Sequence, residues 1–226
     1  MCYTYQLDSD IVRIIFKNWH TMNKKEIVIK FSSIRDRAFK KYMDWFLVHQ
    51  FTIDNTLKIA SLETFEGFDY NNDNYGICLK IYQASSDNSI VDGIRIKELD
   101  KALKEWYASS NLKEFKEYFV GHRLIDMEDF ITFYSKDEKS QECGYCHTTK
   151  KELDELIRVE KIFTRRLSTR GRSLEVDQIH PGKGYVKGNL ILSCYWCNNA
   201  KTDEFSAEEF KPIGLEIGKS LRKRLK

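Results

Sequence analysis

Four of the chain's six cysteines fall in two pairs, Cys143-Gly-Tyr-Cys146 and Cys194-Tyr-Trp-Cys197, with 47 residues between the pairs. Two residues between paired cysteines let both thiolates turn toward one ion, and four thiolates close a tetrahedron around a structural Zn²⁺. No position stays open for a substrate, so such an ion holds the fold and does no chemistry. His147, beside Cys146, is a candidate replacement for one cysteine. The competing readings are reduced core cysteines, or two disulfides in an exported chain. Paired spacing argues against scattered core cysteines, and Cys2 and Cys78 have no comparable partners. Between the pairs lie Asp177, His180 and Asn189, and Asn198 follows Cys197 directly.

The chain has 226 residues, enough for one large domain or two small ones, each able to bury a core. No apolar run is long enough to span a membrane, and no export signal opens the sequence. A cytoplasmic location without membrane contact is therefore expected, where paired cysteines more often hold metal than form disulfides. The net charge of +3 is divided unevenly. Residues 138–226 carry 18 Lys and Arg against 13 Asp and Glu, giving +5 there and −2 before it. The basic excess thus sits with the cysteine module, as it should if that part meets a polyanion.

The elements that must position these groups are legible in outline. In the carboxyl-terminal part, Lys150 to about Ser168 reads as a helix with Leu153, Leu156, Ile157, Glu160 and Phe163 along one face. Leu174–Ile179 alternates as a strand, Pro181–Gly188 is a loop, and Asn189–Ser193 is a second strand. Tyr195 to about Lys201 forms a helix, which Lys201 closes. Ser206-Ala-Glu-Glu209 is a capping box for a terminal helix that Pro212 breaks and restarts. The polar run Ser135–Glu142 marks a boundary, giving domains 1–137 and 138–226.

Residues 1–137 hold 23 of the 30 aromatic residues, which implies a packed interior. Glu26–Phe31 alternates as a strand, and Ser33 to about His49 has helical spacing. Ile77–Tyr82 and Ile90–Ile96 read as a strand pair around a turn at Ser85–Ser89. Lys97–Ala108 and Leu112–Tyr134 read as helices, with Leu103 and Trp106 on an inner face. His20, His49 and His122 are isolated and read as core or surface histidines. The fold class expected is α+β: a mixed α/β amino-terminal domain, then the cysteine module.

Strand, glycine-bearing loop, strand and helix, carrying L-E-V-D, K-G-Y-V-x-G-N and C-x-x-C-N-N-A-K, resemble the ββα-metal domain of zinc-bearing HNH endonucleases. The resemblance covers about residues 143–210. It implies a metal-dependent endonuclease that hydrolyses phosphodiester bonds in DNA, with restriction or phage defence as candidate roles. It also implies that Asp177 and Asn198 bind Mg²⁺ or another divalent cation, distinct from the structural Zn²⁺. Asn189 would fix the loop and orient a histidine that deprotonates the attacking water.

The departure from the family pattern lies at that base. A histidine usually follows the aspartate, whereas Gln178 stands here and cannot take a proton. His180 is the nearest histidine, and alternation along a strand gives positions 178 and 180 one direction. His180 is therefore the expected base, with Tyr185 or a metal-bound hydroxide as alternatives. Arg165, Arg166, Arg170, Arg172, Lys183 and Lys187 surround this segment; Arg172 and Lys183, flanking the strand of Asp177, are the expected phosphate contacts. Besides DNA, the candidate partners are a second copy of the chain or a defence-system protein. The alternative function is a zinc-dependent nucleic-acid-binding module without hydrolysis.

Overall fold

The computed structural model describes residues 24–69, 76–78, 80–81, 90–91, 93–134, 141–163, 171 and 173–225. Arg165, Arg166, Arg170 and Arg172, Cys2, His20, the turn at 85–89 and most of the polar run from Ser135 lie outside the described residues. The first described element, α1 (Lys24–Ile53), is a helix where Glu26–Phe31 is expected as a strand. Ile27, Phe31 and Ile34 recur at helical spacing and are buried, while Val28 and Ile29 are 42% and 58% exposed. Six alternating residues also fit a 3.6-residue period, and burial of that helical face outweighs the strand preference of branched side chains.

By its contacts the chain forms two compact units: residues 33–126 with 180–189, and residues 1–32, 127–179 and 190–226. In the first, the remainder of α1 packs aromatic rings against α2 (Leu62–Glu66) and α4 (Leu112–His122). Phe65 is the centre of this core: the rings of Tyr42, Phe46 and Phe115 lie 5.1–5.4 Å from it, edge to face. The Tyr42 hydroxyl donates to the Phe68 carbonyl and Trp106 Nε1–H to that of Ala60, so the polar ends of both rings are satisfied. His49 packs on Phe68 and His122 stacks on Tyr118, ordinary structural places for histidines.

The segment expected as a strand at 77–82 is helical at 76–78 and 80–81. Ile90–Ile96 is a small hairpin instead of one strand: β1 (Ile90–Val91) pairs with β2 (Ile94–Arg95) next to Gly93, whose φ of 81° suits glycine. Ile96 then opens α3 (Ile96–Ser109), with Leu99 and Trp106 buried. The helix expected over Leu112–Tyr134 is divided, because α4 ends at His122 and Leu124 and Ile125 turn inward. The Ile125 amide donates 2.8 Å to the carbonyl of Tyr185, which anchors the 180–189 loop within this unit.

The other unit contains α5 (Met127–Tyr134), α6 (Lys150–Arg158), β3 (Glu175–Gln178), β4 (Leu190–Ser193), α7 (Tyr195–Lys201) and α8 (Ala207–Lys223). Strands β3 and β4 are antiparallel, with Asp177 opposite Ile191 and Val176 opposite Leu192. Helix α6 has the Thr149–Glu152 capping box and stops before Glu160, whose φ is 55°. Leu153 and Leu156 are buried as expected, whereas Glu160 and Phe163 are exposed because the helix has ended. Helix α8 begins at the expected Ser206–Glu209 box but runs unbroken through Pro212. Pro212 and Glu208 are both exposed, so the carbonyl that loses its partner faces solvent and the helix tolerates the ring. The fold is α+β.

Candidate functional site

The cysteine cluster is built from two short turns. In the first, the Gly144 amide donates 2.8 Å to the Leu192 carbonyl, fastening the turn to β4. A Cβ at Gly144 would run into the Ile191 side chain, so a larger residue there must displace it. The second turn is the start of α7, where Cys194 is the N-cap and its Sγ accepts from the Cys197 amide at 3.4 Å. Backbone amides and the helix N-terminus both favour a thiolate there.

The four sulfurs are buried and lie within 4.8 Å of one another. Cys146 Sγ and Cys194 Sγ are 3.8 Å apart, close to the edge of about 3.8 Å that a tetrahedron with bonds of about 2.3 Å requires. Hydrogen bonds from Cys146, Cys194 and Cys197 pull the Cys143 thiol far below its ordinary range. Sharing protons with Cys143 and Cys146 pushes Cys194 and Cys197 up. A soft cation removes that conflict by replacing the shared protons. The expected alternative ligand, His147, is exposed, and its Nδ1 lies 3.1 Å from Glu142 Oε1, outside the sulfur cluster.

Helix α7 lies across one face of β3. Glu175 and Asp177 share that face by alternation. Asn198 Nδ2 donates to Glu175 Oε2 at 2.5 Å, and Lys201, one turn later, places Nζ 3.4 Å from Asp177 Oδ2. Asp177 also accepts from the Tyr145 hydroxyl on Oδ2 and from the Gln178 amide on Oδ1, each at 2.8 Å. Burial raises the Asp177 carboxyl above its usual value, outweighing the opposing Lys201 charge and those hydrogen bonds. Burial, followed by the charge of Asp177, pushes the Tyr145 phenol far up, so it remains a donor. The structure therefore brings Asp177 together with Lys201 and Tyr145, and Asn198 together with Glu175. Sequence spacing points to none of these partners; β3 alternation could have marked Glu175, and nothing local marks Tyr145.

Gln178, in the position where the resemblance calls for histidine, is buried and its Oε1 has no hydrogen-bond partner among the described residues. His180 is half-buried and opens the loop. Asn189 braces that loop: Oδ1 accepts from the His180 amide at 2.9 Å, and Nδ2 donates to the carbonyls of His180 at 3.0 Å and Gly184 at 2.7 Å. Lys183 is exposed at the end of the 3₁₀ turn Pro181–Lys183, and Tyr185 is half-buried. Arg172, the other expected phosphate contact, is among the residues not described.

No protein-family model and no curated protein matches the chain. Among solved structures it is similar to the rare-cutting HNH restriction endonuclease PacI. The likeness spans 62% of this chain and 90% of that one, with 23% identity and a TM-score of 0.39. No helix among the described residues is long and apolar enough to cross a membrane.

Proposed function

We propose that the protein is a metal-dependent HNH endonuclease that hydrolyses phosphodiester bonds in DNA. The observation that carries this reading is the buried four-sulfur cluster joining the 143–146 turn to the start of α7, with the β3 carboxylates against the next turn of that helix. That arrangement supports the chemistry implied by D-x-x-H, G-N and C-N-N-A-K. Cys143, Cys146, Cys194 and Cys197 would hold Zn²⁺ as a closed brace.

Asp177 and Asn198 would hold Mg²⁺ or another hard divalent ion. Their oxygen donors, with the Glu175 carboxylate beside Asn198, suit such an ion. When bound, it supplies positive charge to the scissile phosphate and the departing oxygen. The residues do the rest. His180 accepts a proton from the attacking water at a ring nitrogen, and Asn189 fixes the backbone on both sides of that imidazole. Lys183 and Arg172 bind neighbouring phosphates without reading bases.

Residues 1–137 would supply target selection, dimerisation or docking of a defence-system partner, and residues 138–226 the nuclease. A fragment beginning at residue 138 that keeps the full chain's site preference would overturn that division. The main reading is tested by plasmid nicking with zinc-loaded full chain in Mg²⁺ and Mn²⁺. Nicking that disappears with chelator is expected. Binding without cleavage in every metal and on every DNA substrate would make the protein a zinc-dependent binding module, the reading that Gln178 in the base position favours.

A further inference from the structure

Lys201 closes α7 and is fully buried, with its Nζ 3.4 Å from Asp177 Oδ2 and 3.4 Å from the Thr202 carbonyl. A buried ammonium needs an anion beside it, and among the described residues Asp177 is the carboxylate that supplies one. Asp177 is itself only 7% exposed. An ionised carboxylate offers about four lone-pair sites. Tyr145 takes one on Oδ2, with the Lys201 ammonium 3.4 Å from that same oxygen, and the Gln178 amide takes one on Oδ1. One site on Oδ1 is left for any further partner.

We propose that Lys201 is a positioning residue that acts through Asp177 and sets how tightly the catalytic cation is held. This rests on the assignment of Asp177 as a ligand in the proposed nuclease. The ammonium stands against Oδ2 beside the Tyr145 hydroxyl, leaves Oδ1 to serve as a single-point ligand, and cancels part of the carboxylate's charge. The divalent ion is thereby made exchangeable, in contrast to an ion locked among four thiolates. One turn of α7 carries both functions, since Asn198 and Lys201 are three residues apart and reach the same face of β3.

The test is Mn²⁺ binding, measured by electron paramagnetic resonance on zinc-loaded full chain, for the parent, Lys201→Met, Tyr145→Phe and Asp177→Asn. Removing a neighbouring positive charge should tighten Mn²⁺ in Lys201→Met by about tenfold or more. Tyr145→Phe removes a hydrogen bond without changing charge and should tighten it less, by under about fivefold. Asp177→Asn should lose the site. Unchanged or weaker binding in Lys201→Met, or an equal gain in Tyr145→Phe, overturns the role of Lys201 and leaves the nuclease reading standing. Mn²⁺ binding that survives in Asp177→Asn, or is absent from every protein including the parent, instead removes Asp177 as a ligand and both assignments fall. Should Lys201→Met lose its zinc and its fold, the parent answers alone: the Lys201 ammonium resonance shifts on Mg²⁺ addition under the proposal, and an unmoved resonance overturns it.

Discussion

At His180 it is the backbone that neighbouring groups hold. Asn189 accepts from its amide and donates to its carbonyl, so the residue's position is set through its backbone. His180→Ala should lower the nicking rate by about 10²-fold or more, the usual range for a general base, while Tyr185→Phe cuts at the parental rate. The reverse pattern would move the base to Tyr185. Asn189→Ala takes the side-chain partners from the half-buried His180 amide and Gly184 carbonyl and should cost on the order of 1–3 kcal/mol, read from a denaturation midpoint. The place of Asn189 was legible in the sequence because its bonds are local. Lys201 was not: a lysine in the last turn of a helix has a sufficient local explanation, and its pairing with Asp177 exists only once α7 lies on β3.

Among the elements, α8 depends on two glycines that touch the first cysteine turn. A Cβ on Gly218 would meet the Cys146 carbonyl at 2.2 Å, and one on Gly214 would meet Tyr145 Cβ at 2.8 Å. Gly218→Ala should therefore push α8 off the cluster and destabilise the chain by roughly 1–3 kcal/mol, with earlier zinc release on heating. Unaltered melting and zinc release would show that the helix gives way freely. The bounds of α7 were readable because Cys194 caps it and Lys201 closes it, and the capping box at Ser206 was equally plain. Glu26–Phe31 misled because a short branched run satisfies two periods, and only burial of Ile27 and Phe31 decides between them. Glycine pairs at 214 and 218 carry no helix signal of their own; their purpose appears only against the cysteine turn.

For the molecule as a whole, the four sulfurs lie within the core of the second unit. They tie the 143–146 turn to α7, and their neighbours Leu153, Leu156, Leu174, Phe210 and Leu221 form the same core. Cys194→Ser should lose the zinc and expose residues 143–210 to protease, since metal binding is then folding free energy. Metal-free protein that melts like the parent would contradict a structural role. The central claim, that this brace holds a hydrolytic cation site at Asp177 and Asn198, is tested most directly by plasmid nicking in Mg²⁺ for the parent, Asp177→Ala and Asn198→Ala, with zinc content measured on the same samples. Full zinc in all three, with nicking in the parent alone, is the predicted result; nicking at the parental rate by either zinc-replete variant would contradict it.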